Sequence, residues 1–288
     1  MISKKNGHLF WGILPTSPLK ASMRSALYWA AGLLLLINVF GLLNGNFHMI
    51  VDGVQWLDIS FTHAINKLAR RSEIFDQLVF EVSGKNLIKM VPLVTVLWWA
   101  WFHKPIPARH ELVIKGFLAA LFAVAVSRTL IFQMPMRLRP LHDPAMGFVM
   151  PYGPPESILE HWSSFPSDHA AVACALATAI FLCSRRLGVA AFVWAALVVS
   201  LPRLYLGFHY LSDVLAGGAI GVAAMLTLAW LPTPKRLGDA LGNLETRHAG
   251  VFYVGFFLMT YQLSTMFEDV RSIGHQGVNI IFSLLGRS

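Results

Sequence analysis

Charge is what this chain has least of. Only 13% of its 288 residues are Asp, Glu, Lys or Arg, whereas 56% are hydrophobic and the mean hydropathy is +0.58. A soluble globular domain carries about a quarter charged residues, so this composition excludes one. Cysteine is scarce as well. Cys174 and Cys183 are the two present, and on one helix they would stand about 13 Å apart, beyond the reach of a disulfide. They report nothing about redox compartment. No internal repeat or low-complexity tract occurs. Residues 1–25 lack the short apolar core and small-residue cleavage site of a removable signal peptide, so the first span is expected to remain as an uncleaved anchor.

What fills the chain instead is a series of apolar runs, each long enough to cross a bilayer as a helix. The expected fold is an all-α polytopic membrane helix bundle. Its six core spans are read at 26–43, 87–102, 112–134, 167–183, 188–201 and 213–231. The run 250–267 is a candidate seventh span, and the tail after it is amphipathic. The organisation is therefore a cytoplasmic basic leader (1–25), a six-span core (26–231) and a C-terminal extension (232–288). Residues 54–68 read as an amphipathic helix at the interface. The second span is expected to continue a helix that begins near Phe75. Lys89 would snorkel from it, and Trp98, Trp99 and Trp101 would form an interface belt. Pro135 stops the third span.

A net charge of +8 would suggest nucleic acid in a soluble protein. Here membrane topology accounts for it, and no nucleic-acid partner is expected. Lys4, Lys5, Lys20 and Arg24 place the N-terminus inside by the positive-inside rule. Lys104, Arg109, Lys115, Arg185, Arg186, Lys235 and Arg236 then also fall inside. Lys67, Arg70, Arg71 and Lys85 are a competing signal in an outer segment. With this orientation, residues 135–166 and 202–213 face the extracytoplasmic side. At 32 residues, the segment 135–166 is too long to be a plain connector and reads as functional.

Three polar clusters converge on that face. Arg203, His209 and Asp213 stand in an otherwise oily stretch, with Gly207 permitting a tight bend. On a helix His209 and Asp213 would share a face, and the carboxylate could fix the imidazole tautomer. A snorkelling Arg203 and a helix-capping Asp213 form the plainer alternative. Arg137-Leu138-Arg139-Pro140 follows the third span. Arg139, held extended before Pro140, presents a planar fork suited to phosphate oxygens, although for this cluster taken alone a lipid-headgroup anchor fits better. Pro166-Ser167-Asp168-His169 opens the fourth span as a helix start, leaving free N–H groups for an anion. Simple capping by Asp168, with His169 as an interfacial aromatic, is the alternative. Taken together, the clusters describe phosphoryl transfer without a metal: cations and N–H groups hold the phosphate oxygens, one His attacks, and the other protonates the leaving group. His142, Asp143, Glu160 and His161 share this segment, but their spacing fits no metal site, and no metal or cofactor is expected.

These residues resemble the motifs of the type 2 phosphatidic acid phosphatase superfamily, Lys-x6-Arg-Pro, Pro-Ser-Gly-His and Ser-Arg-x5-His-x3-Asp. The counterparts here are Arg139-Pro140, Pro166-Ser167-Asp168-His169 and Pro202-Arg203-x5-His209-x3-Asp213. The resemblance covers residues 128–221 for the motifs and 26–231 for the six spans. It implies that His209 is the nucleophile forming a phosphohistidine, that Asp213 orients it, and that His169 is general acid and then base. It also implies that Arg139, Ser167 and Arg203 hold the phosphate. The departures are Phe132 for the family lysine, Pro202 for a serine and Asp168 for a glycine. Arg128 or Arg137 could supply the lost charge, with Arg128 favoured, and Asp168 should face solvent or pair with an arginine. Ser164 to His169 resembles the undecaprenyl-pyrophosphate phosphatase branch. The resemblance therefore implies a membrane hydrolase acting on a lipid phosphate or diphosphate, undecaprenyl pyrophosphate first. Phosphatidylglycerophosphate, phosphatidic acid and lipid A stand behind it. A phosphotransferase is the near alternative and a non-catalytic lipid-binding or transport protein the distant one. Transport would need charge continuing through the spans, and here it stops at one surface.

Overall fold

The computed structural model of the chain describes residues 47–103 and 107–268. The basic leader, the expected first span and the amphipathic tail lie outside them. Among the described residues all regular structure is helical. The helices are α1 (Phe47–Asn66), α2 (Glu73–Gly84), α3 (Asn86–Lys89), α4 (Val91–Phe102), α5 (Pro107–Gln133) and α6 (Asp168–Cys183). They continue with α7 (Arg185–Tyr205), α8 (Leu211–Trp230), α9 (Lys235–Arg247) and α10 (Ala249–Ser264). By length and composition α5, α7 and α8 can cross a membrane, while α4, α6 and α10 are shorter apolar helices.

Helix α6 is the axis of the bundle, in contact with α4, α5, α7 and α8. Its alanines explain why: Ala170, Ala171, Ala173, Ala175, Ala177 and Ala179 are all buried, on every face. Small residues let backbones approach closely where lipid supplies no hydrophobic drive. On α8, Gly217 and Gly221 complete the fit. A Cβ on Gly217 would stand 2.1 Å from the Ser167 carbonyl oxygen, and one on Gly221 would stand 2.0 Å from that of Ala171. The start of α6 is thereby pressed against the start of α8, and Ser167 N–H donates to the Asp213 carbonyl at 3.0 Å.

Several sequence-based expectations change. The helix expected from Phe75 to the end of the second span is three pieces, α2, α3 and α4, broken at Lys85 and Met90, with a proline at the start of α4. Lys89 does not snorkel: it is 1% exposed, because the breaks turn α3 inward. The Trp belt is also mostly internal. Trp101 is buried and Trp99 alone is half exposed. Trp98 and Trp101 pack on Phe256 of α10, with centroids 4.8 and 5.2 Å away. Helix α7 carries a π-helical stretch at Ala195–Ser200, which ends shortly before Arg203.

The segment between α5 and α6 is ordered by its own backbone. Ser164 N–H donates to the Arg137 carbonyl at 3.0 Å, and Leu141 N–H to that of Gly207 at 3.2 Å. Gly207, at φ +70°, turns the chain between α7 and α8, where a Cβ would strike the Phe148 ring at 2.6 Å.

Candidate functional site

The ends of α5, α6 and α7, the 134–167 segment and the turn before α8 surround a cavity of about 340 Å³. Arg128, Arg139, Asp168, His169, Arg203 and His209 all line it. Six positions spread over eighty residues of sequence thus reach one space.

His209 does not share a helix with Asp213 as expected. It lies in the turn before α8, Tyr210 is the N-cap, and Asp213 sits in the first turn, its Oδ2 accepting from Tyr210 N–H at 2.7 Å. The His209 ring is buried at 3% exposure, with Nδ1 2.7 Å from the Ser164 carbonyl oxygen and 3.7 Å from Asp213 Oδ2. A carbonyl only accepts, so Nδ1 carries the proton and Nε2 presents its lone pair. That Nε2 is buried and has no partner among the described residues. Burial, then Arg203 and Arg139, hold the His209 pKa down at about 4, against the opposing pull of Asp213. The ring is therefore neutral at neutral pH.

Arg139 is fixed by neutral groups. Its guanidinium donates to the carbonyls of Trp162 (3.0 Å), Ser163 (3.1 Å) and Phe208. Burial and the neighbouring Arg203 lower its pKa to about 10, still cationic at neutral pH. Its charge has no carboxylate partner among the described residues. Arg203, 7% exposed, lies over the Phe208 ring at 5.7 Å and leaves Nε without a partner. Ser167 is the N-cap of α6, yet its Oγ makes no capping bond and is buried without a partner. Three buried polar atoms of this region have no partner among the described residues: Arg203 Nε and His209 Nε2 on residues that line the cavity, and Ser167 Oγ between Pro166 and Asp168, which also line it; buried polar groups are normally paired.

Asp168 is oriented by its neighbours. Oδ1 accepts from His169 N–H and meets His169 Nδ1, each at 2.8 Å, while Oδ2 pairs with Arg128. The extra carboxylate is thus paired with an arginine, and it occupies Nδ1 of His169, leaving Nε2 as the other ring nitrogen. Arg128 also lies 5.4 Å over the Trp162 ring. Phe132 is 78% exposed, away from the cavity.

Arg137 is not brought to this space. It lines a neighbouring cavity of about 670 Å³ with Asp58, Asp143, Tyr210 and Ser212. There it pairs with Asp58 (2.7 Å) and Asp213 (2.5 Å) and lies 4.4 Å over the Tyr210 ring. Asp58 also accepts from Ser212 N–H and Oγ, at 2.8 and 2.6 Å. Asp58, Glu268 and the Ser164 carbonyl went unseen in the sequence. A carboxylate within the amphipathic 54–68 stretch was the available signal for Asp58, whereas a backbone carbonyl leaves none.

Comparison with known proteins points the same way. Residues 114–236 match the PAP2 superfamily. The putative undecaprenyl-diphosphatase YbjG of Escherichia coli (strain K12) is 36% identical over 147 residues, 50% of this chain and 67% of that protein. The bacitracin transport permease protein BcrC of Bacillus licheniformis is 35% identical over 77 residues, 25% of this chain and 36% of the relative. A crystal structure of a PAP2 type phosphatidylglycerolphosphate phosphatase from Bacillus subtilis aligns with 70% of this chain and 94% of its own, at 18% identity and a TM-score of 0.45. The matched region contains both histidines and every arginine around the cavity, and the likeness to YbjG extends over two thirds of that protein: this membrane chain belongs to the PAP2 superfamily.

Proposed function

We propose that the protein is an integral membrane phosphatase that removes a phosphate from a lipid phosphate or diphosphate, with undecaprenyl pyrophosphate as first substrate. The observation that carries this reading is His209 Nε2: buried, unpartnered, neutral and facing a cavity lined by arginines. The choice of lipid rests on the similarity to YbjG.

In the proposed reaction the phosphate enters between Arg139 and Arg203, and Ser167 Oγ and the N–H groups at the start of α6 that Asp168 does not occupy take the remaining oxygens. His209 Nε2 attacks phosphorus, forming an N–P bond as the P–O bond to the leaving group breaks. His169 Nε2 gives its proton to the departing oxygen. Burial, Arg203 and Lys89 oppose the protonated ring, and Asp168 at Nδ1 together with the incoming negative charge offsets them. Water then attacks phosphorus and yields its proton to His169. The N–P bond breaks, and inorganic phosphate leaves. No metal enters either step.

The site belongs on the extracytoplasmic face in this reading. Arg185 and Arg186 begin α7, whose far end carries Arg203. Lys235 and Arg236 follow α8, whose near end carries Asp213. At 21 residues α7 separates its two ends by about 30 Å, the thickness of a bilayer core. The test is phosphate release from undecaprenyl pyrophosphate by the purified chain, in EDTA. His209→Ala should abolish turnover while the protein still folds and melts cooperatively. Near-normal hydrolysis by that variant, or activity only on adding a divalent ion, would end the assignment, and a new phospholipid in place of free phosphate would make the protein a transferase.

A further inference from the structure

A titratable side chain that the proposed reaction does not use is buried in α3, the helix whose Asn86 holds Glu268 at the cavity wall. Lys89 is 1% exposed, and its Nζ donates to the Ser83 carbonyl. The ion pairs among the described residues involve Lys85, Lys115, Arg128, Arg137 and two histidines, not Lys89. An ammonium buried without a carboxylate is costly and persists when something offsets it. Its placement is fixed. Trp194 Nε1–H donates to the Lys89 carbonyl at 3.1 Å. One turn earlier, Asn86 Nδ2 donates to the Thr265 carbonyl (3.1 Å) and to Glu268 (3.2 Å), whose side chain lines the cavity. The Lys89 charge bears on His169, and burial and then Arg203 lower the Lys89 pKa to about 7, against Asp168 and Glu268, which raise it. All four of those residues line the cavity.

The charge balance decides what Lys89 is for. Arg128, Arg139 and Arg203 face Asp168 and Glu268 across the cavity, an excess of one positive charge. A phosphate monoester brings about −1.5 to −2 at neutral pH. Arg128 is already paired with Asp168, and Phe132 points outward. We propose that Lys89 is the fourth cation of the anion site, a positioning charge that acts through space and takes up a proton from solvent as the phosphate enters, bringing the excess to that of a phosphate dianion. This rests on the cavity being a phosphate site.

The experiment uses the full-length protein in detergent, with orthovanadate as probe and thermal protection as readout, alongside KM and kcat for undecaprenyl pyrophosphate. Lys89→Met removes the charge at similar volume and should melt no lower than wild type. It should need about tenfold more vanadate for half-maximal protection, and raise KM more than it lowers kcat. Lys89→Arg should restore binding to within about threefold. Lys89→Gln replaces Lys89→Met if the latter does not fold. Equal vanadate affinity in wild type and the neutral variant overturns the inference, as does an Arg variant as weak as the neutral one. A wild type that binds vanadate through Lys89 yet hydrolyses no lipid phosphate overturns the phosphatase reading and leaves this one standing.

Discussion

Removing the Asp58 carboxylate should both loosen the fold and slow the reaction, although Asp58 precedes the region shared with the family, residues 114–236. Asp58 is 1% exposed and accepts three hydrogen bonds, from Ser212 N–H, Ser212 Oγ and Arg137 Nη2. Asp58→Ala leaves all three donors without that acceptor. Breaking a fully buried ion pair from one side costs about 3–5 kcal/mol. The Arg137 side chain is 33% exposed, so water replaces part of the loss. The expected cost is therefore about 2–4 kcal/mol, or a melting temperature lower by about 5–10 °C. Activity should fall for a separate reason. Arg137 Nη1 holds Asp213 Oδ1, and Asp213 Oδ2 caps Tyr210 beside His209. Without Asp58 the guanidinium keeps one carboxylate and draws it away from the turn that carries the imidazole. Asp58→Asn retains an acceptor for Ser212 and should lose less than half as much stability. The assay is thermal unfolding in detergent for Asp58→Ala, Asp58→Asn, Arg137→Met and the double variant, with kcat on each. Additive losses in the double variant, or an Asp58→Ala protein that melts and turns over like wild type, would refute the coupling.

Two further outcomes follow from the geometry. Gly217→Ala should destabilise by about 1–3 kcal/mol and impair turnover, because its Cβ meets the Ser167 carbonyl at 2.1 Å. Gly255→Ala, in α10 with nothing within 4 Å of its Cβ, should be neutral or slightly stabilising in the same melt. For His209, the folded pKa of about 4 lies below the ordinary 6.5. Its contribution to stability is complete above pH 6.5 and is lost as pH falls toward 4, since there the unfolded chain binds a proton that the folded one refuses. Melting temperatures measured across that window should slope less steeply in His209→Gln. An unchanged slope would place the titration elsewhere.

The apolar runs read from sequence appear as helices wherever the structure describes them, because helix formation in lipid is dictated by length and hydropathy alone. The three polar clusters were legible for a similar reason: Arg139, His169 and His209 interrupt apolar sequence and stand out from it. What could not be read was whatever depends on a partner far along the chain. Lys89 resembles any lysine near a span end until the breaks at Lys85 and Met90 turn it inward. Arg137 and Arg139 are alike in sequence, two residues apart, yet one meets Asp58 and the other a ring of carbonyls. The tautomer of His209 depends on the Ser164 carbonyl, a group every residue possesses. A break in hydrophobic periodicity reports that a polar residue matters and says little about what it touches.

The π-helical stretch at Ala195–Ser200 sets the angular relation between the two halves of α7. One extra residue in the winding turns everything beyond it by about 100° relative to an uninterrupted α-helix. Arg203 faces the cavity by virtue of that added turn. A sister chain lacking one residue in this stretch could keep every motif intact and still aim its arginine into lipid. Alignments that score the motifs without counting the residues between Arg185 and Arg203 would pass such a chain as competent. The spacing inside the helix belongs to the signature of this site as much as the residues at its end.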